Sequence, residues 1–247
     1  VIHNGIQLYQ GAIDVLNNLN KLNKRFLLIS NAPRPSISVK KYLLKLKMDQ
    51  IFLKNIFTSG EATIQILKKN IYGKKFYHLG PERDKDLFIE FKENKTSLEK
   101  CDFILCSGLL EHEESSLKYY ENLLKKYTKL KMLCTNPDLI VHRGPRSEYC
   151  AGSIAALFEK EGGKVIYIGK PYSEIYNFCI KENESILAIG DNIRTDIRGA
   201  NNMKLDSLFI INGIHKDEFK NLPIENYDKI LWKYKTITNY YQKMLNW

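Results

Sequence analysis

The sequence predicts an α/β protein: a Rossmann-like doubly wound parallel sheet carrying an inserted second α/β unit. Short unbroken apolar runs recur along the chain: "FLLIS" 26–30, "FILCSG" 103–108, "KMLCTN" 131–136, "KVIYIG" 164–169, "ILAIGD" 186–191 and "LFIING" 208–213. Runs of this length without polar alternation suit parallel strands covered on both faces. Amphipathic segments separate them. Ala12, Val15, Leu16, Leu19 and Leu22 share one helical face before the first run, and Leu117, Tyr120, Leu123, Leu124 and Tyr127 do so before "KMLC". Strand and helix in alternation are the pattern of a doubly wound sheet.

Taken in order, residues 1–70 supply the first helix and strand, and a Gly- and Lys-rich turn at Tyr72–Lys75 marks a boundary. Residues 71–167 hold their own strand–helix alternation and read as an inserted α/β domain, after which 168–247 return to the first domain. The closing stretch "ILWKYKTITNYYQKML" has large apolar residues at roughly helical spacing and predicts a terminal helix.

At 247 residues and 44% hydrophobic content the chain has enough apolar surface for real cores, which excludes global disorder. No run approaches the roughly 18 apolar residues of a membrane span, and no charged leader precedes an apolar segment. Five cysteines without a C-x-x-C pair suggest neither a disulfide framework nor a zinc site, and a reducing cytoplasm is the expected location. The net charge of +10 raises nucleic acid as a partner. Its lysines are scattered over many helices without an aromatic-and-basic recognition motif, so neither nucleic acid nor membrane is expected to bind.

Ligands of parallel sheets gather beyond the carboxyl ends of strands, and three polar clusters fall there. Ser30 and Asn31 offer a hydroxyl and an amide to phosphate oxygens, although the pair is also ordinary turn chemistry. Lys170, between Gly169 and Pro171, can face a phosphoryl group or remain a solvated lysine before a helix. Asp191 follows a buried strand, and Asp196 lies one turn on, a spacing that suits a hard Mg²⁺ ion. Asp196 can instead cap the helix or pair with Arg194 or Arg198.

The order of these pieces, strand–"SN", a long insertion, "GKP", then strand–"GDNIRTDI", resembles the haloacid dehalogenase superfamily, class IIA, the branch of NagD-like and nitrophenylphosphatase-like enzymes. "VIHNG" at 1–5 with "QGA" at 10–12, "SGEA" at 59–62, "TNPD" at 135–138 and "GAN" at 199–201 extend the resemblance over nearly the whole chain. Gln10 departs from it, since the branch often has Pro there. The resemblance implies a Mg²⁺-dependent phosphatase acting on a small phosphorylated metabolite. Ser30 and Asn31 would then bind phosphate, and Lys170 would balance charge around the transferring group. Asp191 would be the metal ligand, with Asp196 supporting the metal shell. Asn136 and Asp138 would face substrate from the cap domain, 71–167; a Pro-centred turn is their other reading. Caps in this branch can mediate dimers, so a homodimer is among the expectations.

The same resemblance puts the nucleophile, an Asp that forms an aspartyl-phosphate, upstream of "VIHNG". The expectation is therefore that the first strand and the nucleophile precede Val1, and that the 247 residues by themselves turn over no aryl phosphate. Two rival functions stay open: a non-catalytic phosphometabolite-binding protein that kept the fold without the chemistry, and a basic RNA- or DNA-associated protein.

Overall fold

The structure, a computed structural model, describes residues 1–113, 116–143 and 146–247. Its strands are β1 (Leu28–Ser30), β2 (Ile56–Thr58), β3 (Phe76–Leu79), β4 (Phe103–Cys106), β5 (Lys131–Cys134), β6 (Ile140–Arg143), β7 (Arg146–Tyr149), β8 (Lys164–Tyr167), β9 (Leu187–Gly190), β10 (Asp206–Ile210) and β11 (Tyr240–Gln242). The architecture is the expected mixed α/β fold with parallel sheets. Two compact units divide the chain: the first comprises 1–28, 42–55 and 170–247, the second 29–41 and 56–169.

In the first unit, β9, β10 and β11 form a parallel sheet with β10 in the middle. Leu208 of β10 sits opposite Ile189 on one side and Tyr240 on the other. Ile193, Ile197, Phe209, Phe219 and Leu231 close the core over this sheet. The helix Gln10–Lys21 buries Ala12, Val15 and Leu16, as its spacing predicts. Leu22 ends that helix and is exposed, so the apolar stripe stops one turn early. Among the described residues β9 pairs with β10 alone, and Leu187 and Ile189 are exposed on it, against the expectation of a strand covered on both faces.

The predicted terminal helix is cut short. A helix covers Tyr227–Lys233, Lys235 then takes a positive φ of 52°, and the chain continues into β11. The cause is local. Thr236 and Thr238 bind backbone carbonyls of Leu231 and Ser207 through their hydroxyls, competing with a helical ladder.

In the second unit, β3, β4, β5 and β8 form a parallel sheet in that order, with Leu79, Cys106, Cys134 and Tyr167 aligned across it. All four residues of β4 are buried, the covering on both faces that its unbroken apolar run predicts. Tyr120, Leu124, Ile154 and Phe158 pack from helices onto this sheet. Phe158 is fully buried, which contributes about 1.5–3 kcal/mol. The Tyr120 ring is buried too, and its hydroxyl accepts a hydrogen bond from the Leu110 N–H at 2.7 Å. All five cysteines are buried free thiols that act as small apolar residues. The β6–β7 hairpin and the short β3 are additions that the sequence pattern does not reveal.

Candidate active site

Strand β9 ends at Gly190, and the chain turns sharply there into Asp191 and Asn192. Glycine is required at the turn, because a Cβ on Gly190 would lie 2.1 Å from the Cβ of Asp196. The turn is closed by Asp196. Its Oδ2 accepts hydrogen bonds from the N–H groups of Asp191 and Asn192, both at 3.1 Å. The Asn192 side chain accepts from the Arg194 N–H at 2.9 Å and caps the widened helical turn Ile193–Ile197.

The other oxygen of Asp196, Oδ1, accepts from Lys170 Nζ at 2.6 Å, with both side chains largely buried. Burial alone would raise the Asp196 carboxyl, but the Lys170 ammonium and the backbone N–H donors outweigh it and hold the group below the usual carboxylate range. Asp196 therefore stays ionised and orients both the lysine and the Asp191 turn. Its partner is Lys170, 26 residues away, in place of Arg194 or Arg198.

Asp191 is thus set in place by its own backbone. Its Oδ1 lies 3.4 Å from the nitrogen of Val1, and Gly213 flanks its other side so closely that a Cβ there would lie 2.2 Å from Asp191 Oδ2. Among the described residues no three His, Cys, Asp or Glu side chains converge on a common point.

In the second unit, Ser30 ends β1, and its Oγ accepts from the Ala32 N–H at 3.2 Å, the turn chemistry open to such a residue. Asn31 donates from Nδ2 to Asp138 Oδ1 at 3.1 Å, and Asn136 Oδ1 accepts from the Asp138 N–H at 3.1 Å. Asn136 and Asp138 thus form a Pro-centred turn and also reach the loop after β1. Gly169 allows the close fit: its φ is 146°, and a Cβ would lie 2.6 Å from Pro137 Cδ and 2.9 Å from Asn31 Oδ1. The structure therefore gathers Lys170, Asp191 and Asp196 in one unit, and Ser30, Asn31, Asn136 and Asp138 in the other.

Two further residues of the second unit, which the sequence reading did not name, form an ionic contact with each other. Arg34, in the loop after Ser30, has its Nε 3.3 Å from Oδ1 of the buried Asp84, an ionic contact without hydrogen-bond alignment. The available signal was the "GPERD" segment after β3, a polar run at another strand end.

A profile of haloacid dehalogenase-like hydrolases matches residues 1–92, and a second profile, of HAD-like hydrolases, matches residues 167–231. The ribonucleotide monophosphatase NagD of Escherichia coli K12 is 26% identical over 98 residues, a match spanning 38% of this chain and 38% of that protein. The crystal structure of a haloacid dehalogenase-like hydrolase from Brucella suis is 29% identical, with a TM-score of 0.77 over 87% of this chain and 83% of that one. The fold is also that of a p-nitrophenyl phosphatase from Archaeoglobus fulgidus, 17% identical, with a TM-score of 0.77 over 99% of this chain and 93% of that one. Segments at both ends of the sequence and the fold across most of its length agree: the chain belongs to the haloacid dehalogenase-like hydrolases, in their NagD-like class IIA branch.

Proposed function

We propose that the protein is a Mg²⁺-dependent phosphatase that hydrolyses a small phosphorylated metabolite through an aspartyl-phosphate. The observation that carries this reading is the Lys170–Asp196 ion pair locked beneath Asp191 at the carboxyl end of β9. Such an arrangement holds a cation and a hard oxygen donor at fixed positions, which phosphoryl transfer requires more than it requires covalent help from the protein.

Mg²⁺ takes one or two carboxylates and completes its octahedron with water and substrate phosphate. One carboxylate at a strand end fits that demand, with Asp191 as ligand and both oxygens of Asp196 already committed. When bound, the ion would neutralise charge on the phosphate oxygens. Lys170 would offset the charge that grows on the equatorial oxygens, and Asp196 would keep that lysine protonated and aimed. Ser30 and Asn31 would orient phosphate oxygens, and Asn136 and Asp138 would contact the leaving group from residues 71–167 acting as the cap.

The nucleophile is assigned, on the resemblance of residues 1–5 to the stretch that follows it in the family, to an Asp upstream of Val1. The carboxylate would attack phosphorus as the ester oxygen departs with a proton, and water would then cleave the acyl-phosphate to free phosphate.

The test is turnover of p-nitrophenyl phosphate by a chain extended through that Asp, with and without EDTA, beside the 247 residues alone. Mg²⁺-dependent turnover by the extended chain alone is expected. Turnover by the shorter chain, or by the extended one in EDTA, would overturn the proposal; binding of phosphate esters without turnover would favour a non-catalytic role.

A further inference from the structure

We propose that His215, Glu218 and Tyr234 are positioning residues that brace Asp191 from both sides and thereby set the affinity of the site for its divalent ion. The inference rests on the reading of Asp191 as metal ligand and deepens it, and every residue involved lies in the first unit.

Two stretches of chain flank Asp191. One is the loop after β10, whose Gly213 packs so closely that a Cβ there would lie 2.2 Å from both Cβ and Oδ2 of Asp191. The other is the turn into Ile193–Ile197, closed by Asn192 and Asp196. Backbone bonds anchor the first loop at its start, where the N–H groups of Ile211 and Asn212 donate to the carbonyls of Gln242 and Lys243, both at 2.9 Å. Beyond Gly213 the anchor is a side chain. His215, 6% exposed, places Nδ1 2.6 Å from Glu218 Oε1, and the Tyr234 hydroxyl donates to the same carboxylate, 2.9 Å from each oxygen. Burial would raise the Glu218 carboxyl, but the hydrogen bonds from His215 and Tyr234 and the nearby Arg194 charge outweigh it and hold the group below the usual carboxylate range. An ionised carboxylate only accepts, so His215 Nδ1 carries the proton of this bond.

Tyr234 joins the group to the second stretch. Its ring stands edge-on to His215 with centroids 5.2 Å apart, and Cζ of Arg194 lies 5.3 Å from the same ring centroid. Its backbone carbonyl accepts from Arg198 Nη2, just past Asp196. The Arg194 N–H in turn donates to the Asn192 side chain, next to Asp191. One tyrosine therefore ties the Gly213 loop to the turn on the opposite flank of the carboxylate. The other ring nitrogen of His215 shows that packing is not the reason for an imidazole here. Nε2 is buried with no hydrogen-bond partner among the described residues, and an apolar side chain would fill the place without stranding it. What an apolar side chain would lose is the bond from Nδ1 to Glu218. Groups that orient a metal ligand from behind govern affinity by limiting how far the ligand can stray.

The experiment titrates Mg²⁺ calorimetrically, without substrate, into the extended chain and its variants, and follows the amide resonances of Asp191, Asn192 and Gly213 in the metal-free state. His215→Leu and Tyr234→Phe should each raise the Mg²⁺ dissociation constant about 10-fold, the low end for groups behind a metal ligand, and should shift those three resonances. His215→Asn puts an amide N–H where Nδ1 stands and should keep the parent affinity and resonances. Adding Glu218→Gln to His215→Leu should weaken binding no further, because both changes remove one bond. Turnover at saturating Mg²⁺ should stay within about threefold of the parent, since the brace acts on the ligand and not on the transferring group. Affinity within about twofold of the parent in His215→Leu overturns the proposal. So does an equal loss in His215→Leu and His215→Asn, which would reduce the cluster to packing. Tyr234→Phe keeps the ring and decides the matter if His215→Leu does not fold. A parent that binds no Mg²⁺ would defeat the metal reading; the resonances then decide alone, shifted ones sustaining the brace and unmoved ones overturning it.

Discussion

Acidification from about pH 7.5 to about pH 4.5 is expected to weaken the second unit through one histidine, His78. Its ring is 5% exposed on β3, 4.5 Å from the ring of Phe88, and burial lowers its pKa from 6.5 to about 4, with Lys95 adding to the effect. Because the folded value lies below the unfolded one, the unfolded chain takes up a proton first as pH falls. The contribution to stability is complete above about pH 6.5 and is lost progressively toward pH 4. From 6.5 to about 4 is about 2.5 units, which at about 1.36 kcal/mol per unit amounts to about 3 kcal/mol, a large share of the 5–15 kcal/mol typical of a domain. Urea denaturation across this range, in the parent and in His78→Gln, measures it. Asp84 acts in the opposite direction, since its raised carboxyl favours the folded state as pH falls, so the difference between the two proteins is the diagnostic quantity. The parent should lose up to about 1.4 kcal/mol more stability per pH unit than the variant between about pH 6.5 and 4. Identical slopes in the two proteins, or an NMR titration of His78 centred near 6.5 in the folded state, would refute the reasoning.

Other perturbations have equally direct readouts. Lys170→Ala leaves the Asp196 carboxylate buried without its ammonium, and kcat/KM of the extended enzyme should fall by about 10²- to 10³-fold; a loss under about fivefold would remove Lys170 from the site. Gly213→Ala puts a Cβ 2.2 Å from Asp191 Oδ2 and must displace that carboxylate, so the Mg²⁺ concentration for half-maximal activity should rise; an unchanged Mg²⁺ titration would contradict Asp191 as ligand. Tyr120→Phe strands the Leu110 N–H and should cost about 1–3 kcal/mol in urea denaturation, whereas a neutral effect would mean that the N–H finds another partner.

What the sequence made legible follows from range. β4 announces itself because apolar residues fill every position of a covered strand, and β5 and β8 because three apolar residues follow an exposed lysine in each. β3 stays hidden because its four residues include Tyr77 and His78, and its burial depends on partners elsewhere in the chain. The misread terminal helix shows the limit of periodicity. Ile237 and Tyr240 fit a helical spacing, but both are exposed, and what decides the path is pairing of β11 with β10. The site divides the same way. Asp191 and Asp196 stand out from one short motif, while the choice of Lys170 over two nearer arginines is settled by tertiary geometry. Arg34 and Asp84, 50 positions apart, carry no sequence signal of their pairing at all.

The hydrogen bond from Asn31 to Asp138 yokes the turn after β5 to the loop after β1. A substitution at either residue therefore disturbs both segments at once. Transplanting "TNPD" from a relative would import a mismatched neighbour unless the Ser30–Ser36 loop travelled with it.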